Sequence, residues 1–264
     1  MVRTFRYSAA SDGPLSANPA HAFAARHALR LYRADAVYTM IPKNACSTMR
    51  LSLAKANGCV GSAADFFWIH ANNDTFSADL PSLARARYTF VFLRCPFRRL
   101  ASAYLDKMVA REPPMWQLLD LDRRAVAPAD LTFRTFVRLV TRKDALRENH
   151  HWRPQVDFLV YDAYDDWFRV EAFAAAAERL AERTGIEILD ARGLTRHGTE
   201  TYRKMAGDPD LPPLDILLLQ RGGESPDPAT LYDGELVDRV GAAYGADVEL
   251  YRSLFGPDAL MFPA

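Results

Sequence analysis

Two short stretches of this chain gather cationic and hydroxyl side chains where a backbone turn would concentrate them. The first is Ile41-Pro42-Lys43-Asn44-Ala45-Cys46-Ser47-Thr48. It lies between an apolar run from Ala36 to Ile41 and a helical pattern from Ser47 to Asn57. A strand-to-helix turn aims backbone N–H groups and the positive end of the helix at one point, which suits a phosphate or sulfate. Lys43 adds a mobile charge, and Ser47 and Thr48 add hydroxyl donors. It is not a Walker A loop, because GxxxxGK followed by Ser or Thr is absent and the lysine comes early. Taken alone, an ordinary capped helix start with an exposed lysine reads the same way.

The second stretch is Phe92-Leu93-Arg94-Cys95-Pro96-Phe97-Arg98-Arg99-Leu100-Ala101-Ser102-Ala103-Tyr104. Arg94 ends an apolar run that starts at Tyr88, at the strand edge where α/β sheets bind ligands. A guanidinium there can hold a phosphate bidentately, and Ser102, off the apolar stripe of the next helix, can donate to it. Arg98 and Arg99 read as a solvated helix face, in at least one case. Two such turns predict a ligand with two separated anionic groups.

These turns require strands and helices in alternation. Strands are predicted over Ala36 to Ile41, Tyr88 to Leu93, Phe158 to Tyr161 and Glu187 to Leu189. The first two are apolar on both faces, as in a sheet covered from both sides. A short helix is predicted over Ala20 to Leu31, and another from Ser47 until Asn57-Gly58 stops it. Pro96 opens a helix to Ala110, with Phe97, Leu100, Ala101, Tyr104, Leu105 and Met108 on one stripe. Val170 to Thr184 forms a fourth, ended by Gly185. Glu235 to Phe255 forms a fifth behind a cap at Asp233. Glu112 to Asp130 and Gly207 to Pro228 are rich in proline and read as surface loops or substrate-facing lids. The pattern predicts an α/β fold with a mainly parallel sheet flanked by helices. The 264 residues suit a single domain over residues 31–264 behind a loosely ordered lead-in, residues 1–30.

Lys plus Arg number 33 and Asp plus Glu number 33, so no global basic field predicts a nucleic acid or an acidic membrane as partner. Cys46, Cys59 and Cys95 form neither CxxC nor a Cys/His metal spacing, and read as reduced thiols of a cytoplasmic protein. Met1 to Ala25 contains no continuous apolar stretch, so no secretory signal or membrane span is readable. No sequence feature speaks to oligomeric state.

PKNACST followed by FLRCPFRRLASAYLDK, about fifty residues apart, resembles the sulfotransferases that use 3′-phosphoadenosine 5′-phosphosulfate (PAPS). The likeness is greatest to the carbohydrate sulfotransferases of the family-2 type. Asn149-His150-His151-Trp152-Arg153-Pro154-Gln155 is similar to a third family segment, and Leu231 to Phe255 to its C-terminal helix. The resemblance implies a P-loop-like fold. It also implies that the loop of Pro42, Lys43, Asn44, Ala45, Cys46, Ser47 and Thr48 holds the 5′-phosphosulfate. Arg94 and Ser102 would hold the 3′-phosphate, and Arg196, in Arg196-His197-Gly198-Thr199, would cover the nucleotide. Eukaryotic members of this type carry an N-terminal anchor, none is readable here, and a bacterial-style cytoplasmic enzyme is expected.

By analogy with phosphoryl transfer, an acceptor hydroxyl, of a carbohydrate or glycosylated metabolite, would attack sulfur in line and PAP would leave. Lys43 suits the charge developing on the leaving oxygen. No feature requires a metal. The base is expected to be His70, in Trp68-Ile69-His70-Ala71-Asn72, as in related heparan-type enzymes. His150, His151 and the acidic residues Asp65 and Asp74 are the other candidates. A turn in which Trp152 packs and a histidine bonds a carbonyl accounts as well for at least one of the pair. A P-loop-type nucleotide kinase is the rival enzyme, and it lacks its Walker A loop. A non-catalytic nucleotide-binding module predicts His70 turned into the core, and an interaction protein with a basic helix face predicts no response to PAP.

Overall fold

A computed structural model describes residues 3–10, 12–72, 74–191, 193–194 and 202–263. Its first half runs α1 (Pro19–Arg26), β1 (Ala28–Leu31), β2 (Ala36–Thr39), α2 (Cys46–Ala56), α3 (Trp68–Ala71), α4 (Leu80–Arg85), β3 (Tyr88–Leu93) and α5 (Pro96–Ala103). There follow α6 (Pro113–Leu121), α7 (Phe133–Val140), β4 (Asp166–Arg169), α8 (Phe173–Thr184), β5 (Arg203–Met205), α9 (Pro213–Arg221), β6 (Glu224–Pro226), α10 (Gly234–Ala243) and α11 (Gly245–Phe255). The chain forms two compact units, Met1–Arg94 with Gln155–Thr195, and Cys95–Pro154 with Arg196–Ala264.

The first unit holds a four-stranded sheet in the order β1-β2-β3-β4. β2 pairs parallel with β3, and β3 with β4, while β1 joins β2 antiparallel. Every residue of β2 and β3 is buried, as runs apolar on both faces require. The core stacks Tyr38 on Phe90 at 5.2 Å and sets Phe92 beside Phe168 at 5.1 Å. Met49 and Leu53 of α2 and Leu180 of α8 belong to the same apolar cluster. The expected α/β class with a mainly parallel sheet is what forms.

Several predicted elements differ. The helix expected over Ala20 to Leu31 ends at Arg26, and Ala28–Leu31 becomes a strand because β2 offers it a full antiparallel ladder. Phe158 to Tyr161 is no strand. Phe158 ends a 3₁₀ turn, and Tyr161 alone bridges to Phe5. The run is apolar because it is wholly buried, not because it pairs. Glu187 to Leu189 is no strand either. Next to it, side chains of α2 take up the backbone: Leu189 N–H donates to Ser52 Oγ and Ala191 N–H to Thr48 Oγ1. β4 went unread because Asp166 and Arg169 make it polar. Asp166 is nonetheless buried, accepting from the Tyr88 hydroxyl at 2.7 Å and pairing with Arg179.

In the second unit α5 keeps α geometry to Ala103 and continues as a π-helical turn over Tyr104–Met108, within the single helix predicted to Ala110. The predicted helix from Glu235 to Phe255 is two, α10 and α11, divided at Tyr244. Asp233 caps α10 as expected, accepting from Leu236 N–H. The two proline-rich stretches contain helices α6 and α9, because Pro113 and Pro213 occupy first-turn positions where proline fits. Tyr104, Phe133, Phe136 and Trp152 form an aromatic core here.

Candidate anion-binding site

The turn between β2 and α2 is built on unusual backbone. Lys43 has φ 70° and Ala45 φ 56°, both left-handed without being glycine. Such a residue costs about 1–2 kcal/mol, and strain of this kind collects where a ligand is clamped. Turns of this kind point successive N–H groups to one side. Ala45 is the N-cap of α2 and supplies no side-chain cap. The first-turn N–H groups of this eleven-residue helix therefore receive no bond from the cap residue's side chain, at the helix's positive end.

A buried amide network braces this turn. Asn44 is fully buried, and its Nδ2 donates to Phe92 O at 2.8 Å and to Gln155 Oε1 at 2.6 Å. Gln155 Oε1 also accepts from Arg94 N–H at 3.0 Å, and Gln155 Nε2 donates to Arg94 O at 2.9 Å. Arg94 Nη1 reaches Lys43 O at 3.1 Å. Three separate sequence segments thus meet through side-chain amides. Asn44, expected among the loop ligands, uses its amide for bracing. Gln155 stood in the third motif segment without an assigned role, and only its partners reveal one.

The other loop residues divide by exposure. Pro42 is buried, while Lys43, Cys46 and Ser47 are half-buried. Thr48 is 4 % exposed, and its Oγ1 accepts from Ala191 N–H at 3.2 Å, which leaves its proton to donate.

His70 is exposed at the end of α3, with its ring edge-on to Phe66 at 5.1 Å. It does not turn into the core, as the non-catalytic reading predicted. Phe66 is core, whereas Phe67 is 80 % exposed. Phe67 and Trp68, with Asp65, Gly61 and Cys59, line an open cleft of about 440 Å³.

Ser102 belongs to the second unit, on α5, and is 5 % exposed. In that unit the Asn149 segment is a braced turn. Arg99, 2 % exposed, donates to Arg153 O at 2.8 Å and His150 O at 3.2 Å, so it is not a solvated face residue. Arg98 is half-buried. His151 Nδ1 lies 2.8 Å from Asn149 Oδ1, and buried Trp152 donates from Nε1 to Ala145 O. Arg196, with His197, Gly198 and Thr199, lies outside the described residues.

A family model described as the sulfotransferase family matches residues 26–252. The chain belongs to the sulfotransferase family. Carbohydrate sulfotransferase 14 of Homo sapiens is 32% identical over 168 residues, covering 56% of this chain and 45% of the relative. The Mus musculus protein of that name gives the same identity and coverage. The Danio rerio protein is 28% identical over 170 residues, covering 56% and 46%. This sulfotransferase-family chain thus spans about half the length of the curated relatives it matches. No solved structure matches it. Among its described residues, no helix is long and apolar enough to cross a membrane.

Proposed function

We propose that the chain transfers a sulfuryl group from PAPS to a hydroxyl of a saccharide and releases PAP. The observation that carries this reading is the uncapped start of α2, with left-handed Lys43 and Ala45, held to Arg94 through Asn44 and Gln155. Family membership supports sulfuryl transfer, and the names of the relatives support a carbohydrate acceptor.

The residues present fit such a donor. PAPS supplies a sulfuryl group joined to phosphate through an oxygen that can leave. The first-turn N–H groups of α2 and the hydroxyls of Ser47 and Thr48 bind the phosphosulfate oxygens. Lys43 neutralises charge on the leaving oxygen as the S–O bond breaks. Arg94 is assigned to the 3′-phosphate, and Ser102, in the second unit, keeps that assignment on the resemblance alone. A ring nitrogen of His70 takes the proton of the acceptor hydroxyl as its oxygen bonds to sulfur.

Thermal melts with nucleotide test the donor. PAP at a hundredfold excess over its Kd is expected to stabilise the fold by about 2.7 kcal/mol. ATP, lacking a 3′-phosphate, is expected to do less. Equal shifts from both would remove the basis for PAPS as donor.

A further inference from the structure

We propose that the open cleft beside Phe67 binds a protonated amino sugar, with Asp65 taking the ammonium group and the rings of Phe67 and Trp68 taking the pyranose. That this sugar also serves as acceptor rests on the sulfuryl-transfer reading above, whereas its binding does not.

The cleft of about 440 Å³ is formed by one stretch of the first unit, between the end of α2 and the first residue of α3. Its volume falls in the range of small-molecule sites. Cys59, Val60 and Trp68, which line it, pack on the main apolar cluster. Trp68 also stacks on buried Phe76, with ring centroids 6.3 Å apart. Phe67 has the opposite surroundings. It is 80 % exposed, although phenylalanine is among the residues most often buried. Phe66 takes the core position next to it, so the ring of Phe67 is left to solvent. Asp65 is the one charged residue among the described residues that line the cleft. Its Oδ2 accepts from Gly61 N–H at 3.0 Å and from Ser62 N–H at 3.1 Å, within a capping box shared with Ser62. The carboxylate is thus held in place by backbone, and Oδ1 is left out of both bonds.

A fixed carboxylate with no cation beside it in the lining disfavours an anionic occupant and favours a cationic one. Aromatic faces carry the negative side of the ring quadrupole, so they attract ammonium groups and C–H-bearing surfaces alike. The flat C–H face of a pyranose suits the two rings, and an amine on that pyranose supplies the cation that suits Asp65. A simple aliphatic amine meets the charge and leaves the aromatic surface unused. A phosphorylated or sulfated ligand meets repulsion, so the cleft is not a second nucleotide site. The Phe67 ring lies 6.5 Å from that of His70, tilted by 48°. A sugar resting on Phe67 therefore stands next to the residue assigned above as base.

The test is a ligand-observed NMR titration of the full chain at mildly acidic pH, where the amine is protonated. The probes are a β-linked glucosamine disaccharide, its N-acetylated counterpart and cyclohexylamine. Wild type is expected to bind the amino disaccharide about threefold or more tighter than either of the others. Asp65→Asn keeps an acceptor for the cap and removes the charge, so it should erase the preference over the N-acetylated form. Phe67→Ala, at a position 80 % exposed, should fold as wild type does and bind both disaccharides about threefold or more weakly. Alkylation of Cys59, followed by peptide mass spectrometry, should slow when the amino disaccharide is present, because Cys59 lines the same cleft. Equal binding of the amino and N-acetylated forms by wild type overturns the proposal, as does cyclohexylamine matching the disaccharide. If Asp65→Asn does not fold, Phe67→Ala and the Cys59 rate carry the test, and no change in either is equally fatal. Failure of wild type to move sulfur from PAPS to any saccharide, with amine-selective binding intact, sinks the sulfotransferase reading and leaves the cleft's ligand standing.

Discussion

In the proposed transfer, Lys43 is the residue whose charge would matter most at the moment of bond breaking. Held by a left-handed backbone beside the start of α2, it sits in a turn whose N–H groups already favour anions. Ground-state binding therefore has other donors, whereas the leaving oxygen gains its charge only in the transition state. Lys43→Ala is expected to lower kcat by about 10²–10³, as loss of an oxyanion donor does, with little change in PAP affinity by calorimetry. Unchanged turnover at saturating PAPS would place the lysine outside the reaction. His70 makes the complementary case. The residue is exposed, and its ring stands edge-on to Phe66. His70→Ala should cost at least about a hundredfold in turnover while PAP binds normally. His151 is engaged with Asn149, so His151→Ala should act on melting temperature instead. A large kinetic loss there with normal His70→Ala turnover would transfer the role of base.

At the scale of elements, the site depends on three segments meeting within one unit. Gln155 receives from Asn44 and from Arg94 N–H, and donates to Arg94 O. Removing it leaves buried amide groups without partners at the end of β3 and in the turn before α2. Each such group costs about 1–3 kcal/mol, so Gln155→Leu is expected to lower the unfolding free energy by about 2–4 kcal/mol. The same variant should weaken PAP binding, because the turn that carries Lys43 and Ala45 loses its brace. Denaturant titration and calorimetry on one preparation check both. A large stability loss with full PAP affinity would show that the turn holds its shape unaided.

At the scale of the molecule, the first unit is tied from its N-terminal residues to its sheet. Arg3 Nη2 meets Asp165 Oδ2 at 2.6 Å, and Asp165 also accepts from Thr89 N–H at 2.7 Å. Burial raises the Asp165 carboxyl, but the bonds from Arg3 and Thr89 outweigh it and hold it below the usual aspartate range. A carboxylate lowered in the folded state stabilises fully above its unfolded value, near 3.8, and that contribution is lost as pH falls through the folded value. Stability should therefore fall on acidification below about pH 4, and Asp165→Asn should be less stable at neutral pH with a shallower acid limb. Parallel acid limbs in the two proteins would rule out this pair as a contributor.

What could be read directly was whatever rests on local pattern. Tyr88 to Leu93 is apolar throughout and became the central strand β3. Pro96 opened α5, Gly185 closed α8, and the apolar run ahead of Lys43 marked the strand-to-helix turn before α2. Pairing across the sheet was not local. β1 exists because Ala28 to Leu31 finds β2, and β4 because Asp166 finds Tyr88 and Arg179, neither of which its own composition foretells. Phe158 to Tyr161 shows the converse: four apolar residues that carry the signature of a strand are buried without a ladder. The left-handed backbone at Lys43 and Ala45 has no glycine to betray it. Gln155 as a brace, and Arg50 as a half-buried cation whose Nη2 finds no hydrogen-bond partner among the described residues, depend on what surrounds each side chain. Residue type and spacing set which chemistry is available to the chain, and long-range packing decides which of those groups are satisfied internally and which are left to face a ligand.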